Sequence, residues 1–474
     1  MILPAVPDRA LAELSRTEGG PETLALLVRD QDTRRLLLVR AVLDAARTAG
    51  PGICPEPARR RLREDWALLT AADRAAPGPG SPARSRLTHP LTGPWARRCL
   101  TGLTPRTGRL SETGRRELLR DLAYFSAIAA AAAARADLPF TTRLTARDGV
   151  LTLPSLGALH TAEPGDTEVE VRHAHGALTL RQTGAADVTV HLETGTGAWS
   201  GALAWTPAHA LPGLRPGTAP MPLDDLDPYR VPPREPGQSA LSGPAAPDHA
   251  ERKRWLQTWA GTAAALASGG ERRPAEALAL LRCLVPLETP PGADGRGSCS
   301  ATRREAFGAL LSSAPATPVA FAATLVHELQ HTKLAALSEM VELHRAGPEA
   351  RYFAPWRPDP RPYDGLLQGA YSHLALADFF QRRALAAGTA DRAQAWAAHA
   401  RYQAQVAAAL PALVGSPDLT PVGRRFVDGM VAAHERLAAN PAPRGYAARA
   451  QAYVKAVRAL WTQRQPPAPP LTNR

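Results

Sequence analysis

Lysine is nearly missing from this 474-residue chain. It occurs only at Lys253, Lys333 and Lys455, so the formal charge of +12 rests on arginine. The arginines are scattered among abundant alanine, proline and glycine, with no basic stripe interleaved with aromatics. They read as a composition bias and not as a nucleic-acid footprint. Cysteine is scarce too. Cys54, Cys99, Cys283 and Cys299 are widely spaced without a C-x-x-C pair, which argues against a zinc ribbon or a disulfide scaffold. No apolar run reaches the roughly 18 residues that span a bilayer. The longest, Ser126 to Ala136, is short and alanine-rich, and no charged segment precedes an apolar core at Met1-Ile2-Leu3-Pro4. The expectation is a cytoplasmic enzyme with neither a membrane nor a nucleic-acid partner.

What is present is an ordinary folded composition, 45% hydrophobic and 21% charged, over a length that suits two to four lobes. Residues 1–138 read as helical, with helical spacing over Ala10–Ser15, Glu22–Arg29, Arg34–Ala46, Pro57–Ala75 and Glu112–Ala136. Residues 139–206 change period. Runs such as Gly149–Leu153, Val169–Arg172 and Val188–Leu192 alternate between Gly-rich turns, which predicts a small antiparallel sheet. Residues 207–247 are proline-rich, carry the acidic patch Asp224-Asp225-Leu226-Asp227, and read as an extended connection. Residues 248–465 return to helix, over His249–Ser268 and Pro274–Leu284, with Thr302–Ser312 as an edge strand leading into the part that carries chemistry. The fold class is therefore mainly α with a β-rich middle segment, α+β.

The chemistry sits in residues 318 to 345. Thr317 can cap a helix with Pro318 in its first turn, and Leu, Ala and Val recur at spacings of three and four. His327 and His331 then stand at i and i+4 and project side by side, as two ligands of one metal ion require. Glu328 completes H-E-x-x-H, in which two imidazoles bind a divalent metal and the adjacent carboxylate acts on metal-bound water. The competing reading is a pair of ordinary helix histidines, disfavoured because two uncompensated imidazoles suit an apolar helix poorly.

A third ligand decides the reaction. Thermolysin-like peptidases take a Glu from a downstream helix, but the chain has none between Glu349 and Glu435. The metzincin pattern needs Gly and His where Leu334 and Leu337 stand. Glu339 and Glu342, read as lying on the same helix, are about 12 to 16 Å along it from His331, too far to share an ion. A second helix, Gly365–Phe380, carries His373 among apolar neighbours, with Asp378 as runner-up and Asp364 behind it. Between the helices, Arg357 and Arg361 alternate with prolines that stiffen the backbone, holding guanidinium forks suited to a carboxylate on a co-substrate or peptide. Two solvent-facing arginines are the competing reading.

His327-Glu328-Leu329-Gln330-His331, the run from Ala354-Pro355-Trp356-Arg357-Pro358 to Asp359-Pro360-Arg361-Pro362, and Gly365-Leu366-Leu367-Gln368-Gly369 together define a longer pattern. It resembles the H-E-x-x-H motif domain of bacterial peptide natural-product clusters, whose members look like 2-oxoglutarate-dependent, non-haem iron peptide β-hydroxylases. The match covers roughly residues 280 to 385. The resemblance implies a zincin-like H-E-x-x-H helix and a following helix holding Fe(II) through His327, His331 and His373, with Asp378 as the alternative third ligand. It implies that Arg357 or Arg361 receives the distal carboxylate of 2-oxoglutarate and that Glu328 orients a ligand or water. The implied substrate is a ribosomally made precursor peptide, hydroxylated at a β-carbon. Two alternatives stay open: a zinc metallopeptidase with Glu328 as general base, and a metal-free peptide-binding adaptor that offers a sheet edge to a leader peptide.

Overall fold

The first helix, Asp8–Ser15, packs on Pro421–Arg436 near the other end of the chain. Gly429 permits this contact, since a Cβ there would overlap the Ser15 side chain. In this computed structural model residues 6–464 are described, except 79, 106–109, 193, 194, 196, 233–242, 290–298 and 387. They group into two units. One comprises residues up to Asp30, Thr258–Leu280 and residues from Thr317 on; the other comprises Gln31–Gln257 and Leu281–Ala316. Both cut across the sequential boundaries read from composition, because each draws on separated stretches of chain.

The first unit is helical. The H-E-x-x-H helix, Pro318–Met340, begins as the sequence requires, with the Thr317 hydroxyl accepting from the Ala320 amide at 3.1 Å and Pro318 in the first turn. It stops at Met340, earlier than read, so Glu342 lies outside it and pairs with Arg345 at 2.8 Å. It packs against Tyr363–Ala386, which in turn packs along Thr389–Val414.

The second unit holds the mixed α+β part. Helices Glu56–Ala75, Pro82–Leu87, Thr92–Leu103 and Glu112–Arg135 enclose a core in which Trp95 stacks on Phe125 with centroids 5.4 Å apart. The alanine run of Glu112–Arg135 is explained by burial on two sides. Ala129, Ala132 and Ala133 join the helical core, while Ala127, Ala130, Ala131 and Ala134 join a core of strand residues. Only a methyl side chain lets a helix and a sheet approach closely on opposite faces of one rod.

Three sheets follow. Phe140–Ala146, Thr167–Ala174, Ala177–Arg181, Val188–Leu192 and Ala198–Trp199 form an antiparallel five-stranded sheet in that order. Val150–Leu153, Gly157–His160 and Trp205–Pro207 form a three-stranded one. The third has the order Ser300–Ala301, Ala309–Ser313, Cys283–Leu287, Met221–Leu223, His209–Leu211. It corrects two expectations. Ala309–Ser313 is an interior strand, buried at every position, not an edge strand spanning Thr302–Ser312. Cys283–Leu287 is a buried strand, not the end of a helix running to Leu284; a short apolar run is ambiguous between the two by period alone. The proline-rich stretch 207–247 supplies two strands to this sheet before it reaches 233–242, which lie outside the described residues. No helix among the described residues is long and apolar enough to cross a membrane.

Candidate metal centre

Helical geometry brings His327 and His331 together as their spacing requires. Their Nε2 atoms are 3.1 Å apart and their rings meet edge to face, with centroids at 4.7 Å. His373, from Tyr363–Ala386, lies with its ring centroid 5.7 Å from that of His327. Its Nδ1 is buried without a hydrogen-bond partner. An aromatic wall surrounds it: Trp356 is edge-on at 4.7 Å and Tyr402 at 5.0 Å. The three donor nitrogens stand wider than a closed coordination shell. Among the described residues, three donors lying within 4.8 Å of one another occur in the other unit, as His89, Asp224 and Cys283.

His327 and His373 are held neutral, the form that binds metal. Burial, reinforced by His331 and then His373, pushes His327 well below the usual histidine range. Burial, with His331 and Arg401 adding to it, takes His373 down to about 3. His331 is oriented by Gln368, whose Oε1 lies 3.0 Å from its Nδ1. That contact puts the ring proton on Nδ1 and leaves the Nε2 lone pair facing His327. The facing Nε2 atoms of His327 and His331, beside His373 with an orphaned nitrogen, form a donor set that a divalent cation satisfies better than water-free burial does.

Glu328 follows His327 on the helix and is only 3% exposed. The runner-up ligand is committed elsewhere. Asp378 lies 3.3 Å from Arg273 and 2.9 Å from Arg382, and it follows His373 by five residues, about 140° around the helix. It belongs to a buried network behind the H-E-x-x-H helix. There Lys333 Nζ reaches Glu276 at 3.2 Å and the Thr17 carbonyl at 3.0 Å, and Arg273 reaches Glu276 at 3.0 Å. Asp364 faces His344 at 3.6 Å.

The two loop arginines differ. Arg357 is exposed and paired with Asp359 at 2.7 Å. Arg361 bridges back through its main chain to Tyr352, and its guanidinium lies against Gly365, one turn before Gln368. A further cation was not anticipated: Arg401 stacks over the Tyr402 ring at 4.6 Å, donates to its hydroxyl at 2.9 Å, and acts on His373.

Gln368 and Trp356 also escaped residue-by-residue reading, although both fall in the motif-bearing runs. The signal for Trp356 was Gly369. A Cβ at that position would overlap the Trp356 ring, so the Trp and the Gly form one device that seats the indole against His373. No family model matches the chain, and no curated protein matches it in sequence.

Proposed function

We propose that the helical unit is a mononuclear metal oxygenase, an Fe(II)- and 2-oxoglutarate-dependent hydroxylase acting on the β-carbon of a residue in a peptide. The observation that carries this reading is a donor set of imidazoles alone. His327 and His331 are paired at 3.1 Å, His373 adjoins them with an unpartnered nitrogen, and the nearby carboxylate of Asp378 is drawn off by two arginines. Imidazole suits iron and zinc alike, and an open face is what a co-substrate and dioxygen need. Closing the third ligand takes a movement of the His373 ring toward the pair. Bound there, Fe(II) supplies insertion of one oxygen atom from dioxygen into a C–H bond as 2-oxoglutarate becomes succinate and carbon dioxide.

The chain's own residues set up that chemistry. Gln368 fixes the His331 tautomer, Trp356 and Tyr402 keep water from the His373 side, and Arg361 and Arg401 offer guanidinium groups to the distal carboxylate of 2-oxoglutarate. Arg357 is the weaker choice, since Asp359 already occupies it. Aerobic incubation of the iron-loaded chain with 2-oxoglutarate and a precursor peptide tests the proposal. One added oxygen with an equivalent of succinate is the expected result. Cleavage of the peptide without oxygen or 2-oxoglutarate would instead establish a zinc peptidase with Glu328 as base.

A further inference from the structure

A second donor cluster lies in the α+β unit and owes nothing to the H-E-x-x-H motif. Three separate segments build it. His89 sits in the turn after Pro82–Leu87, Asp224 follows the strand Met221–Leu223, and Cys283 begins the strand Cys283–Leu287. The last two meet because those strands run parallel with Leu223 opposite Leu284, and the Asp224 amide donates to the Leu284 carbonyl at 2.7 Å. One ligand atom from each of the three residues falls within 4.8 Å of the others.

The detail of the contacts favours a shared ion over a simple ion pair. Asp224 Oδ2 is 3.1 Å from His89 Nε2, yet it is buried and has no aligned hydrogen-bond donor. Ligands of one tetrahedral metal, each about 2.0–2.3 Å from the ion, stand about this far apart. His89 Nδ1 has only a long 3.4 Å contact from the Leu91 amide, so the ring is free to present Nε2 to an ion at small cost.

The cluster opens on a cavity of about 550 Å³ lined by His89, Asp224, Arg86, Arg135 and His209. His209 contributes another buried, unpartnered nitrogen to this wall. Arg86 has no ion-pair partner among the described residues, while Arg135 is anchored by the Ser155 and Gly197 carbonyls. Asp137 shares this lining and Arg86 acts electrostatically on Asp224, so Arg86 turns to an anion, beside Arg135, once Asp224 is taken up by an ion.

We propose that His89, Asp224 and Cys283 bind a zinc ion whose fourth position faces the cavity, and that Arg86 and Arg135 receive the anionic group of a small-molecule ligand there. An imidazole, a carboxylate and a thiolate with one open position form a site of catalytic type, and the thiolate favours zinc over magnesium or calcium. A cysteine ligates zinc as the thiolate, so the Cys283 thiol must give up its proton on binding. Zinc therefore displaces that proton to solvent and forms the Zn–S bond, one proton per ion bound.

The full chain, stripped with chelator and reloaded with Co(II), tests the site. A thiolate-to-cobalt charge-transfer band is expected in the wild-type chain and in His331→Ala, with loss in both Cys283→Ser and His89→Ala, and zinc should bleach it. His89 is half-buried, so its variant decides the matter if Cys283→Ser does not fold. Absence of the band, or its survival in either variant, overturns the metal site; a band lost in Cys299→Ser instead assigns the thiolate to half-buried Cys299. Inorganic phosphate should then shift the visible cobalt bands, with affinity weakened roughly tenfold in Arg86→Ala through loss of a charge-assisted contact. An unchanged spectrum, or equal affinity in the variant, overturns the anion receptor.

Discussion

The two donor sets differ in charge, and charge decides what each can hold. His327, His331 and His373 bring no negative charge, so an ion bound among them keeps its full positive charge for an anionic co-substrate. His89, Asp224 and Cys283 bring two negative charges once the thiol ionises, which largely neutralises a divalent ion and leaves recognition of an anion to Arg86 and Arg135. The first arrangement suits an ion that must gather ligands, the second an ion kept tightly and used as a Lewis acid. Binding should also differ in proton count, since burial keeps His327 and His373 neutral, with no net proton to give up, whereas Cys283 binds only as the thiolate and must lose one.

The sharpest break of this comparison is His331→Ala. Cobalt uptake should fall from two equivalents to one per chain, and hydroxylation should fall by more than the roughly 10–100-fold that follows loss of an outer-shell partner. The proton released on metal loading should stay, because it belongs to the thiol. Uptake that remains at two equivalents by metal analysis would show that His331 is not a ligand. A smaller effect is expected from Gln368→Leu, which leaves the imidazole but frees its tautomer. Metal affinity should drop by about 10–100-fold in a competition titration, and Gln368→Glu should recover most of it, because a carboxylate accepts the same Nδ1 proton. No recovery would assign Gln368 a packing role only.

These two sites also explain how far the residues announced the structure. The H-E-x-x-H pair was legible because one helix with a cap at Thr317 fixes the separation of His327 and His331. The His89 cluster was not, since it depends on the register that sets Leu223 against Leu284, and register between strands far apart in the chain leaves no local pattern. The alternating strands from Phe140 to Leu192 were readable by their period, while Cys283–Leu287 was hidden by being buried at every position. The sequence already ranked His373 above Asp378, but the partner of Asp378 needed the third dimension. Only there does Asp378 meet Arg273, which comes from a different helix.

Gly369→Ala probes the packing that supports the first site without touching a ligand. In an open helix interior the change would gain about 0.5–1 kcal/mol. Here the new methyl overlaps the Trp356 ring, and forcing the indole aside should cost about 1–3 kcal/mol instead. A urea midpoint that falls, and that recovers in Gly369→Ala with Trp356→Leu, locates the strain at this contact. A midpoint that rises would mean the indole moves freely and does not fix His373.

The smallest expected effect contrasts the buried charges of the two units. Burial lowers Lys333 to about 8 in the helical unit, against partial compensation by Glu276, and it raises Asp65 to about 6 in the other. Asp65 is nearly inaccessible. Its compensation is a hydrogen bond from Ser126 at 2.6 Å and a 3.3 Å pairing with the partly exposed Arg61, which together do not overcome desolvation. A carboxyl with a raised folded pKa binds its proton more tightly in the native state than in the unfolded chain. Its contribution to stability is therefore full below the ordinary value of 3.8 and is lost as pH rises through about 6. The ceiling on that loss is about 3 kcal/mol for a shift of this size. Asp65→Asn keeps the Ser126 contact and removes the ionisation, so at pH 7 it should be more stable than the wild type by about 1–2 kcal/mol, less than the ceiling because the Arg61 pairing is given up. Near pH 4 the gain should vanish. A variant less stable at pH 7, by chemical denaturation across that range, would mean that Arg61 and Ser126 do stabilise the ionised form and that Asp65 titrates below its ordinary range.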